Sequence, residues 1–256
     1  MADVGLAPGL IGGRARGVSG WWSLLTSPAV AYDANHNVTT DSSGGPIVTT
    51  LWRPVYGGVG AGDYLYQYSG ADPSWPQYYD VDPLSFFGPY GDVYTNNTDG
   101  RMINNDPDGI SSTTAGTNLS QPYDEILIFR HNSPEPVKDS AGNPNRAQLK
   151  IFVTPTNLVR LYAGSTADWS VASTTLSRIF WIHWAGASSF IREHRSDGTD
   201  NYSGLMNPGT LGQDGLQLFD SGLSRVRIKG FAKAIGVDIT QWNNLITWAQ
   251  TKMSWS

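Results

Sequence analysis

The residues of this chain that could do chemistry are carboxylates, four scattered histidines and an unusual density of aromatic rings. The stretch "DYLYQYSGADPSWPQYYDVD", Asp63 to Asp82, sets tyrosine and tryptophan beside aspartate, and no Lys or Arg occurs between Arg53 and Arg101. Flat rings next to acids suit a sugar, a cation or a protein surface. Only three glutamates exist, Glu125, Glu135 and Glu193. Glycoside hydrolysis needs two carboxyl groups facing one space. Asp124 and Glu125 are adjacent on an expected strand and therefore point to opposite faces. Asp80 and Asp82 would share a face if that segment is extended. "NNDPDG" places Asn104, Asp106 and Asp108 at positions 1, 3 and 5 of a calcium loop, but position 12 is Ala115, which cannot supply the bidentate carboxylate such loops use. We read it as a turn, with calcium the weaker alternative.

The histidines His36, His131, His183 and His194 show no metal-ligand spacing. His183 lies between Trp181 and Trp184 and reads as a hydrogen-bonded core or wall residue. "IREHRSDG", Ile191 to Gly198, mixes both signs and reads as solvated. "GGVGAG" at residues 57–62 lacks the Lys-Ser/Thr and the helix of a phosphate loop. No cofactor is expected, and no metal-dependent or covalent catalysis.

"TDSSGGPIV", Thr40 to Val48, resembles the nucleophile motif of chymotrypsin-type serine proteases, GDSGGP, over nine residues. An extra serine is present, Thr40 replaces the glycine, and the only upstream histidine, His36, stands too close to come from a separate barrel. We read the stretch as a turn.

These residues must be positioned by β structure. The 256 residues carry 29 Gly, 15 Pro and 30 aromatics with 15% charged side chains, a low charge density that disfavours disorder and nucleic-acid wrapping. Cysteine is absent, so disulfides and thiolate sites are excluded. No apolar run reaches membrane-spanning length. "PIVTTLW", "EILIFRH", "AQLKIFVTP", "NLVRLYAG", "SRIFWIHWAG" and "SRVRIKG" read as strands. "DITQWNNLITWAQTKM" reads as a helix over about 239–253, capped by Asp238 or Thr240, with Trp242, Leu245, Ile246, Ala249 and Met253 on one face. The expected fold is mainly β, an antiparallel sandwich or jelly-roll-like core with long loops and one C-terminal helix. Residues 1–22 read as an extended arm rooted at Trp21 and Trp22. Residues 23–256 read as one domain with a long loop region over 69–122.

Charge is uneven. Residues 1–129 hold 4 basic against 13 acidic side chains, net −9, and residues 130–256 hold 13 against 9, net +4. On that basis Tyr64, Tyr66, Tyr68, Trp75, Tyr78 and Tyr79 are expected to form a contact surface, with Arg225, Arg227 and Lys229 as its basic counterpart across a subunit boundary. The resulting expectation is a non-enzymatic structural protein of a multi-subunit particle: a virus or bacteriophage virion component of the capsid, decoration or tail class. Its partners would be copies of itself and other particle proteins, with neither nucleic acid nor membrane. The alternatives are a carbohydrate- or receptor-binding β module using the rings of 64–90, then extracellular, and thirdly a glycoside hydrolase.

Overall fold

The computed structural model describes residues 20–33, 38–41, 48–52, 55–56, 65–67, 77–79, 92–94, 102–104, 119–131, 137–138, 147–151, 158–172, 176–212, 216–218 and 226–252. The fold is mainly β, with antiparallel sheets and one C-terminal helix, as the strand and helix patterns indicate. Of the arm expected over residues 1–22, residues 1–19 lie outside the described residues. Its root does not: Trp21–Leu24 forms a single 3-10 turn in which Trp21 and Trp22 are buried.

The centre of the main sheet is built from β8 (Tyr123–His131), β13 (Ser177–Trp184) and β17 (Val226–Ala234). Phe180 faces Leu127 and Trp181 faces Ile126 across the β8–β13 ladder, and Ala232 faces Ile126 across the β8–β17 ladder. Beyond β13 come β14 (Phe190–Arg195) and β15 (Asp200–Tyr202). On the other flank β1 (Pro28–Asp33) pairs with β17. There too lie β2 (Val38–Asp41), β3 (Val48–Trp52), β4 (Leu65–Gln67), β5 (Gln77–Tyr79), β6 (Asp92–Tyr94), β7 (Met102–Asn104) and β16 (Leu216–Leu218). Three of these strands, β5, β6 and β7, fall inside the segment expected to be a long loop. Each is only three residues long, too short for hydrophobic alternation to mark it. β2 and β3 pair antiparallel with Asp41 opposite Val48, and residues 42–47, the middle of "TDSSGGPIV", lie outside the described residues.

The strands β8 and β13 are apolar on both sides because both faces of the sheet are covered. Tyr123, Leu127, Phe129, Phe180, Ile182 and Trp184 meet a second, four-stranded sheet of β9 (Val137–Lys138), β10 (Gln148–Ile151), β11 (Leu158–Tyr162) and β12 (Thr166–Ser170), through Leu149, Val159 and Leu161. The opposite face, carrying Ile126, Ile128, Ile179 and Trp181, is covered by Trp21 and by α1 (Ile239–Lys252). The Asp238 carboxylate accepts from the Gln241 amide at 2.8 Å, so Asp238 is the N-cap. Trp242, Leu245 and Ala249 are buried against the sheet and Ile246 is partly so, as their helical spacing predicts.

Candidate functional site

The end of the sheet where β8 begins and β13 and β17 finish gathers the loops 119–122, 185–189, 203–212 and 235–238. One side chain knits three of them. Gln121 Oε1 accepts from the Gly186 amide at 2.6 Å, and Gln121 Nε2 donates to the carbonyls of Gly209 and Leu211 at 3.2 and 2.8 Å. A surface at this end is therefore held by defined contacts.

On the helix-covered face of the same end, strand alternation brings Trp181 and His183 of β13, Phe190 and Arg192 of β14 and Tyr202 of β15 to one side. His183 stands opposite Phe190, Trp181 opposite Arg192, and Arg192 opposite Tyr202. The rings form a continuous row. His183 stacks on Phe190 at 5.0 Å, Phe190 meets Tyr202 edge to face at 5.7 Å, and Trp181 closes on Phe190 at 5.0 Å. The Arg192 guanidinium lies 4.8 Å from the Tyr202 ring centre and 5.9 Å from that of Trp181. Trp242 of α1, 6.0 Å from Trp181, walls one side. Tyr202 is 48% exposed and the His183 side chain 25% exposed, so part of the row faces solvent.

Beneath the row sits a buried carboxylate. Asp124 Oδ1 accepts from Trp181 Nε1 at 2.7 Å and contacts His183 Nδ1 at 2.8 Å, and its Oδ2 accepts from the Val237 amide at 3.0 Å. The indole and the backbone amide can only donate. The carboxylate therefore accepts throughout, and the proton of a neutral His183 resides on Nδ1. His183 Nε2 is left as an acceptor for a hydroxyl. The expected hydrogen-bonded wall role of His183 thus acquires a specific partner.

The other acids are occupied elsewhere. Glu125 points to the opposite face, as its position next to Asp124 dictates, where it accepts from Trp184 Nε1 at 3.0 Å. Burial raises its carboxyl above the ordinary value, against the opposing pull of Lys233. Glu193 is fully buried and contacts Arg178 at 3.1 Å, Arg195 at 2.9 Å and Asn201 at 2.8 Å. Burial pushes Arg178 down to about 10, with Glu193 opposing the shift and Arg195 adding to it. "IREHRSDG" was expected to be solvated. Instead Glu193, His194 and Arg195 are buried, because β14 is an interior strand between β13 and β15 and its charges pair inward. Its period-two set Phe190, Arg192, His194 was the legible signal for the row, masked by the mixed charge.

The expected contact surface is only partly within view. Tyr64, Tyr68, Trp75, Arg225, Asp106 and Asp108 lie outside the described residues. Tyr66, Tyr78, Tyr79, Arg227 and Asn104 lie in strands of the main sheet, and at these five positions the backbone alone is described. Lys229 differs from its expected role. It sits at the register shift of β17 and is fully buried, and its ammonium donates to Asp33 at 2.7 Å within the same chain. A buried, paired ammonium is not a rim charge for a neighbour. Among the described residues no cluster of His, Asp and Glu could hold a metal ion, and no helix is long and apolar enough to cross a membrane.

No protein-family model matches the chain. No curated protein matches it either. Solved structures do match in fold. One is an arabinofuranosidase complexed with arabinofuranosyl-α-1,2-xylobiose, at 8% identity and a TM-score of 0.55. Another is an α-L-arabinofuranosidase soaked with a cyclic sulfate inhibitor, at 10% identity and a TM-score of 0.58. Both alignments cover 92% of this chain and 65% of the matched chain, so the protein spans just under two thirds of those enzymes. A Trypanosoma rangeli sialidase matches at 11% identity and a TM-score of 0.50, covering 87% of this chain and 32% of its own. These matches correct the expectation of a structural virion component: the folds that the chain shares over nine tenths of its length are those of glycoside hydrolases. Part of the charge asymmetry behind that expectation is met inside the chain: Lys229 of the basic half pairs with Asp33 of the acidic half.

Proposed function

We propose that the protein is a carbohydrate-binding β domain that holds a sugar, without catalysis, against the row His183, Phe190 and Tyr202. The observation that carries this reading is the contiguous, partly exposed ring row with its fixed polar flank. A sugar ring presents an apolar C–H face and a rim of hydroxyls. The Tyr202 and Phe190 rings suit the first. His183 Nε2, the Tyr202 hydroxyl and the Arg192 guanidinium suit the second. Asp124 holds the imidazole in one tautomer and orientation, so the polar groups are organised before a ligand arrives. The shared fold of enzymes that handle arabinofuranosyl and sialyl sugars adds support of a general kind. Hydrolysis is disfavoured because Asp124 and Glu125 diverge and Glu193 is capped by two arginines, so no described pair of carboxylates flanks one space.

The test is a glycan array followed by titration calorimetry on the best ligand. Tyr202→Ala should weaken binding about tenfold or more, the usual cost of truncating an aromatic anchor, with the circular dichroism spectrum unchanged. A blank array, or a Tyr202→Ala protein that binds as the parent does, overturns the reading.

A further inference from the structure

We infer that the sugar held at this row carries a carboxylate, and that Arg192 is the residue that selects it. The inference rests on the carbohydrate reading above and goes beyond it to the class of sugar.

Arg192 differs from the other arginines described around it. Arg178 and Arg195 share Glu193, and Arg160 makes a two-pronged contact with Asp168 at 2.7 and 2.8 Å. Arg192 makes no ion pair with any described residue, although it is half-buried. The acids nearest in the fold are committed elsewhere. Asp124 already takes three donors, Asp200 contacts His194 Nδ1 at 2.9 Å, and Glu193 faces the other side of the sheet with Arg178 and Arg195. A half-buried guanidinium with no acid among the described residues beside it can take its counter-charge from a ligand.

Its setting keeps the group available. The rings of Trp181 and Tyr202, its two cross-strand neighbours, hold the guanidinium between them. Ring faces stabilise a cation through their quadrupoles and leave the N–H edge unused. That edge is a planar fork with the geometry of a carboxylate, and a two-pronged contact of this kind is among the stronger hydrogen-bonded pairs. The chain as a whole carries a net charge of −5, so attraction of an acidic ligand has to be local to this group. With the ring of a uronic acid against Tyr202 and Phe190, its carboxylate would meet Arg192 while a hydroxyl donates to His183 Nε2.

The experiment uses the full chain and an array of matched pairs: oligosaccharides of galacturonic, glucuronic and mannuronic acid, each beside its carboxyl-reduced neutral counterpart. At least one acid form should bind about tenfold or more tightly than its neutral partner. Arg192→Gln should bring the two forms of that pair to equal affinity without lowering the affinity for the neutral form to the same extent. Arg192→Lys keeps the charge but not the fork and should fall between. If acid and neutral forms bind the parent protein alike, or if Arg192→Gln weakens both equally, the acidic-sugar inference fails while the carbohydrate reading stands. If neutral glycans alone bind, the same conclusion follows. If no glycan of any kind binds, both fall.

Discussion

Asp33 and Lys229 show how much a single buried pair can carry. Lys229 Nζ and Trp21 Nε1 donate to the two carboxylate oxygens of Asp33 at 2.7 and 2.8 Å, all in the interior beneath the start of the described chain. Removing one member of a buried pair leaves the other charge uncompensated, which costs more than the pair contributes. Lys229→Met should therefore destabilise the protein by about 3–5 kcal/mol in urea unfolding. The double change Asp33→Asn with Lys229→Met should recover a large part of that loss, since neither charge then remains. A loss of under 1 kcal/mol in the single variant would mean that water reaches Asp33 and that Trp21 is not packed over the pair as described. Gly230, next in the chain, belongs to the same argument: a Cβ there would stand 2.5 Å from the Trp21 ring, so the indole needs glycine beneath it.

α1 is held by its cap and by its buried stripe, and the two contribute separately. The cap contact of Asp238 to the Gln241 amide fixes where the helix begins, close to Val237, whose own amide binds Asp124 below the ring row. Asp238→Ala should cost about 1 kcal/mol, the usual loss for an N-cap. Hydrogen exchange should quicken first at the amides of the opening turn. The helix also reaches β14, since Gln250 Nε2 lies 3.3 Å from His194 Nε2. The fraying should stop short of that contact, and exchange at residues 245–249 should stay near the parent rate. Uniform acceleration along the helix would instead mean that cap and stripe act as one unit.

The stacking of the two sheets sets the protonation behaviour of Glu125. It lies on the face that the four-stranded sheet covers, and burial is the largest influence on it, raising its carboxyl above the ordinary value of 4.5. The folded state then holds a proton that the unfolded chain releases more readily. The stabilising contribution is fully present below pH 4.5 and is lost as pH rises through the folded value. Glu125→Gln cannot ionise, so its stability should fall less steeply than the parent's as pH rises above 4.5. Urea midpoints measured from pH 4 to pH 8 check this. Parallel curves for the two proteins would show that Lys233 offsets burial in full, and a parent that gains stability relative to Glu125→Gln as pH rises would show that Lys233 outweighs it.

What the sequence determined by itself is local. The strand runs, the apolar stripe and cap of α1, the opposed directions of Asp124 and Glu125 and the buried Trp181 and Trp184 follow from periods of 2 and 3.6 and from capping chemistry, all set by neighbours along the chain. What only the tertiary structure decided is where charges find partners. Lys229 is taken by Asp33, 196 residues away, and Trp181 by Asp124, 57 residues away. Long-range pairing of this kind leaves no mark on the spacing of residues, so a basic strand reads as a rim and an acid–base run such as "IREHRSDG" reads as solvent-exposed. The ring row has the same origin. His183, Phe190 and Tyr202 come from three strands and become one surface only when the β13–β14–β15 register sets them side by side.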